Sequence, residues 1–173
     1  MSFIGTENTG KPYQPGYFLA HEECTRETRQ IAQNHANVQN VDGGLFVPMG
    51  SAFPSNDGNA IGIIYEDVDV TYGDMPGSVV TAGTVYEDRL AKTGVSYSAV
   101  TPATGANPKA EGWYERSGTS PNYTYTLTTD TTVGSGKTYY EQVAVRMASA
   151  AKTALAALGF KFIAAAPSVT RPY

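Results

Sequence analysis

Charge is scarce in this chain. Only 16% of its 173 residues are Asp, Glu, Lys or Arg, against about 25% in an ordinary soluble protein. Twelve basic residues stand against sixteen acidic ones. There is thus no cationic surplus to displace counterions from a phosphate backbone, and no nucleic-acid interface is expected. Cys24 is the one cysteine, so the fold uses no internal disulfide, which suits a reducing cytoplasm. No apolar run approaches the ~20 residues that a membrane helix needs. Residues Met1 to Thr6 carry neither a basic start nor an apolar core, so no secretory signal is expected.

Catalytic material is equally thin. His21 and His35 are the only histidines, and no serine sits in a nucleophile-elbow pattern. Cys24 lies beside Glu23, whose charge disfavours a thiolate. The pairs Glu22-Glu23 and Glu66-Asp67 are adjacent in sequence and would point to opposite faces of a strand. Gly134-Ser135-Gly136-Lys137-Thr138 mimics the end of a phosphate-binding loop. It lacks the earlier glycine, has Thr131 there instead, and runs into strand-like sequence where a helix is required. Asp67, Asp69 and Asp74 are spaced loosely like a calcium loop, but Tyr72 and Ser78 stand where that loop needs glycine and glutamate. The chain is expected to be no enzyme and to hold neither cofactor nor metal.

What is present is turn chemistry and β-formers. Eighteen glycines, ten prolines and twelve tyrosines accompany abundant threonine and valine, a composition of many short strands. Leu45-Phe46-Val47, Ile61-Gly62-Ile63-Ile64-Tyr65, Ser78-Val79-Val80-Thr81-Ala82 and Thr84-Val85-Tyr86 read as strands. The turns between them include Pro54-Ser55-Asn56-Asp57-Gly58-Asn59 and Asp74-Met75-Pro76-Gly77. Ala151, Ala154, Leu155 and Leu158 fall on one face of a single short helix, with Ser149 as its cap and Gly159 as its stop. The expected fold is mainly β: a small barrel or sandwich with one C-terminal helix.

Composition divides the chain. Residues 1–19 read as an extended arm, broken by Gly5, Gly10, Pro12, Pro15 and Gly16 yet carrying Phe3, Ile4, Tyr13, Tyr17 and Phe18. Those apolar side chains either fold back on their own domain or dock on a partner. Residues 20–101 and 141–173 form one discontinuous β core, with Val143, Val145 and Met147 alternating as a half-buried strand. Residues 102–140 form an inserted hairpin module. Within it Trp113, Tyr114, Tyr123, Tyr125, Tyr139 and Tyr140 either build the module's own small core or face outward, where Trp113, Tyr114, Tyr123 and Tyr125 could meet a ligand.

The central stretch resembles a known family. Val47-Pro48-Met49-Gly50, Ala60 to Thr71 with its Asp67-Val68-Asp69, Pro76-Gly77-Ser78-Val79-Val80 and Gly83-Thr84-Val85-Tyr86 resemble the lambda-type head decoration proteins of tailed bacteriophages. The late helix of small residues before Phe160-Lys161-Phe162-Ile163 adds to the likeness. The stretch Gly112 to Tyr140 is similar to a small module found in several phage virion proteins. The resemblance implies a β-tulip-like fold and a structural role on the outer surface of the expanded capsid. Its partner there would be the major capsid protein, with this chain as a homotrimer at three-fold or quasi-three-fold positions. The arm would make the capsid contact. A carbohydrate-binding adhesin or fibre protein is the other reading, resting on the module's aromatics.

Overall fold

The computed structural model describes residues 14–166, and they divide into two compact units. In chain order, unit 1 opens with β1 (Thr25–Ile31), β2 (Gln39–Val41), β3 (Gly44–Val47), β4 (Ala52–Phe53), β5 (Gly62–Ile64), β6 (Val68–Asp69), β7 (Met75–Ala82) and β8 (Thr84–Tyr86). Unit 2 holds β9 (Gly94–Val100), β10 (Tyr114–Thr119), β11 (Asn122–Leu127) and β12 (Tyr139–Val145). The chain then returns to unit 1 for α1 (Ser149–Ala157) and β13 (Lys161–Ile163).

Unit 1 is built around the antiparallel sheet β1-β7-β5-β4. The register Ile63↔Val80 and Ile64↔Val79 puts each pair on a common face. Ile63 and Val80 enter one apolar cluster with Phe18, Val85, Leu90, Met147, Ala151, Leu155 and Phe160. Ile64 and Val79 enter a second with Ile31, Val47, Phe53, Val68 and Val70. The central strands are therefore buried on both faces, and each isoleucine or valine so placed contributes about 1.5–3 kcal/mol. The first cluster is closed by α1, which sends Ala151 and Leu155 inward, and the second includes residues of the sheet β2-β3-β6. Strand β13 joins β8 in parallel.

The fold is mainly β, with a single α-helix among the described residues. The expected barrel is not closed: the sheets have four, four, three and two strands and keep free edges. Strands of two or three residues, such as β4, β5 and β6, are too short to carry a continuous hydrogen-bond ladder around a ring. The helix also starts differently. Ser149 is its first residue, not its cap, and the preceding Ala148 N–H is satisfied from a distance by Asn56 Oδ1 at 2.8 Å. Leu158, read as part of the apolar face, is 50% exposed, while Gly159 does close the helix with φ +103°.

Unit 2 runs Gly94–Val145, where composition alone places the module over 102–140. The difference lies in β9 and β12, which pair with each other over seven residues from Gly94↔Val145 to Val100↔Tyr139. Val143 and Val145 do alternate on one face, but that face is open rather than half-buried, whereas Met147 lies in the first core of unit 1.

Candidate functional site

The arm residues part company in the structure. Phe3, Ile4 and Tyr13 lie outside the described residues. Phe18 is fully buried in the first core of unit 1, so it is a core residue and not a contact for a partner. Its neighbours weld the segment to the unit. The Gly16 N–H donates to Tyr65 O at 2.8 Å, the Tyr86 N–H donates to Phe18 O at 2.8 Å, the Ala20 N–H donates to Thr84 O at 2.8 Å, and Leu19 bridges Val85. Gly16 has φ +75°, and a side chain there would run into the Tyr65 ring, so this close approach needs glycine. Tyr17 is 38% exposed, with the Arg89 guanidinium 4.3 Å from its ring centre. The same guanidinium lies 4.9 Å from the Tyr86 ring and donates to Tyr17 O at 3.1 Å. Residues 14–20 thus form a root, fixed on one side of β8.

In unit 2, strand pairing sorts the aromatics by face. Tyr114↔Tyr140 and Arg116↔Tyr125 are registered pairs, so these four side chains share a face with Tyr123 and Tyr97, each two residues along from one of them or from its partner. The sheet order is β11-β10-β12-β9, and β10 meets β12 over only two residue pairs. With so short a central seam the sheet curls, and its outermost strands approach each other over this face. Tyr97 of β9 stacks on Tyr125 of β11, centroids 3.9 Å apart and planes within 5°. Tyr114 meets Tyr97 edge-on at 5.0 Å, and Tyr140 meets Tyr125 edge-on at 5.3 Å. Arg116 covers Tyr123 at 4.3 Å and Tyr140 at 5.0 Å.

The opposite face carries a polar clamp. Glu115 is paired with Tyr139 in the ladder. Lys137 Nζ reaches Asp130 Oδ2 at 2.7 Å and Glu115 Oε1 at 3.3 Å. The Tyr139 hydroxyl donates to Asp130 Oδ2 at 2.7 Å and accepts the Gly134 N–H at 3.0 Å. Thr128 donates to Glu115. Lys137 and the Tyr139 hydroxyl hold the Asp130 carboxyl below its ordinary range, and Asp130 raises the pKa of both partners. This accounts for Gly134-Ser135-Gly136-Lys137: its lysine pins a loop, and a strand follows it. Trp113 tilts against the fully buried Tyr139 at 5.9 Å.

Of the four residues read as ligand-facing, Trp113, Tyr114 and Tyr125 are therefore half-buried in the unit's own packing. Tyr123 stays 39% exposed under Arg116. Tyr97, which composition did not single out, is the partner that occupies Tyr125. The signal for it lay in the alternation of Val95, Tyr97 and Ala99, but nothing local says what crosses over that face.

The three central aspartates each hold separate backbone groups. Asp67 accepts the Met49 N–H at 2.7 Å, Asp69 the Thr71 N–H at 2.9 Å, and Asp74 the Gln33 N–H at 2.8 Å. Burial raises the Asp67 pKa against that bond, and the Thr71 hydroxyl and amide lower that of Asp69. Among the described residues no three His, Cys, Asp or Glu side chains are grouped to hold a metal ion, and no helix is long and apolar enough to cross a membrane. His35 is buried between β1 and β2. Its Nδ1 accepts the Asn37 N–H at 3.2 Å, so Nε2 carries the proton and donates to Ala52 O at 3.0 Å.

Compared with known proteins, the chain matches no family model, no curated protein and no solved structure.

Proposed function

We propose that this chain is a non-enzymatic structural virion protein. It binds the outer surface of an expanded phage capsid and braces it against internal DNA pressure. The observation that carries the reading is the root at residues 14–20. Three backbone hydrogen bonds, the buried Phe18 and the Arg89 clamp join it to the first core of unit 1. A segment held by Phe3, Ile4 and Tyr13 on a shell subunit would pass its load directly into a packed β unit. The partner in this reading is the major capsid protein, with the chain trimeric at three-fold or quasi-three-fold positions. Repetition on a symmetric lattice turns modest single contacts into high avidity.

The sugar-binding alternative draws on Tyr123, the most exposed ring of the four at 39%, although Arg116 lies over it. Tyr97 and Tyr125 spend a face on each other, which leaves less aromatic surface for a sugar ring.

Co-sedimentation with expanded, undecorated shells tests the proposal. Saturable binding at a fixed ratio per capsid subunit, with a raised shell-disruption temperature, is expected. Absence of binding, together with quenching of Trp113 fluorescence by host-surface glycans, would transfer the assignment to the adhesin.

A further inference from the structure

Tyr72 is 97% exposed, the highest value among the large apolar side chains of the described residues. A single exposed apolar residue is ordinary on a protein surface. Tyr72 differs in how firmly its backbone is held. It lies in the turn between β6 and β7, and almost every polar group around it is tied down. The Val70 N–H donates to Leu45 O at 2.8 Å and the Gly73 N–H to Val70 O at 3.2 Å. Thr71 is gripped at three atoms. Its N–H is bound by Asp69 Oδ1 at 2.9 Å, its Oγ1 accepts the Leu45 N–H at 2.9 Å, and its carbonyl accepts Gln33 Nε2 at 2.9 Å. Asp74 takes the Gln33 N–H. Gly73 has φ +134°, a conformation that side-chain-bearing residues rarely adopt. The turn is thus pre-organised to present one aromatic ring that does nothing for its own fold.

Such a ring suits a contact between proteins. Tyrosine is enriched among the residues that dominate interface energetics, and a fixed backbone lowers the entropy lost on docking. The charges flanking the turn are both negative, Asp69 at the end of β6 and Asp74 just before β7, and the Thr71 bonds lower the Asp69 pKa. A complementary partner therefore offers an apolar slot rimmed by Lys or Arg.

We infer that the Tyr72 turn is a second attachment point of this protein to the capsid shell, seated in a basic-rimmed apolar slot on a shell subunit. The inference rests on the shell-binding reading and supplies what that reading lacks mechanically. A body held at one point can pivot; a brace needs two. The root anchors through Phe18 in the first core, whereas the Tyr72 turn is closed by Val70 of the second core. The two-sided sheet with Ile63, Ile64, Val79 and Val80 lies between these clusters and joins the two attachments rigidly.

The test compares full-length wild type, Tyr72→Ala and Tyr72→Phe on expanded shells, with thermal unfolding of each free protein as a control. Unfolding should be the same for all three, because the ring is solvated. Tyr72→Ala is expected to bind at least tenfold more weakly. When saturating, it should raise the shell-disruption temperature less than wild type does. Tyr72→Phe keeps the ring and should stay close to wild type. If wild type binds and Tyr72→Ala matches it in affinity and protection, the second attachment is wrong and the shell reading stands. If wild type fails to bind, both fall.

Discussion

Tyr97 and Tyr125 stack face to face at 3.9 Å although they sit on the two outermost strands of their sheet. The β10-β11 hairpin and the β9-β12 strand pair, joined by a two-pair seam, would otherwise be a floppy ribbon, since an isolated two-stranded pair is marginal in water. The stack closes them on each other, and Tyr114 and Tyr140 fill the angle beneath. A unit with few aliphatics thereby makes its core from phenol rings.

Removing one ring of that stack should open unit 2 alone. Tyr125→Ala is expected to cost about 2–4 kcal/mol, a large-to-small loss plus the aromatic pairing term, at a half-buried site. Differential scanning calorimetry should show one transition falling while the other stays put. A single transition that falls as a whole would mean that the two units unfold as one.

Unit 1 should survive without unit 2. Thr93 Oγ1 donates to Arg146 O at 2.6 Å, so the chain leaves and re-enters unit 1 at adjacent points. The Arg146 guanidinium also donates to Leu90 O, and Asn56 Nδ2 donates to Arg146 O. Deleting residues 94–145 and joining the ends through a short Gly-Ser link should leave a cooperatively unfolding protein. A molten product, with far-UV but no near-UV circular dichroism, would contradict this.

His35 should make unit 1 acid-sensitive. Burial lowers its pKa, with the Ala52 bond acting the other way, and a protonated Nδ1 could no longer accept the Asn37 N–H. The unfolded chain takes up its proton near pH 6.5 and the folded one only at lower pH. The unfolded state therefore binds more protons within that window. Stability is full above about pH 6.5 and declines as the pH falls towards the folded value. The unfolding midpoint of unit 1 should drop between pH 7 and 5, and His35→Gln should flatten that slope. An equal slope in the variant would assign it elsewhere.

The clamp on the opposite face of unit 2 should protect its loop. Asp130→Asn removes the charge that binds Lys137 and weakens acceptance from the Tyr139 hydroxyl. Limited proteolysis should then cut within residues 131–138 faster than in wild type, with β10 and β11 still resistant. Acid should mimic the variant: the Asp130 pKa is depressed, so the clamp is intact above the ordinary carboxylate range and is lost as pH falls through the lowered value.

Much of the local structure could be read in advance, because it rests on local physics. The strand around Val79-Val80, the turn at Pro54 to Asn59 and the helix ending at Gly159 follow from φ preferences, side-chain alternation and apolar spacing, which act over a few residues. The mainly β character followed from the same signals. Open sheets did not, because closure depends on whether short strands find partners around a full circuit.

Tyrosine shows the boundary most sharply. Tyr72, Tyr97, Tyr123 and Tyr125 have similar polar, β-forming neighbours, and each was equally able to be core, ligand platform or exposed tip. Tyr125 became core because another strand's tyrosine crossed over it. Tyr72 became an exposed tip because a ring of hydrogen bonds from Gln33, Leu45 and Asp69 fixed its turn with nothing above it. Phe18 passed from arm to core because β8 and α1 helped to build an apolar cluster to receive it. The amino-acid order sets what each segment is able to do within reach of its neighbours. Which surface is finally covered depends on contacts between residues far apart in the chain, and those exist only once the whole unit has packed.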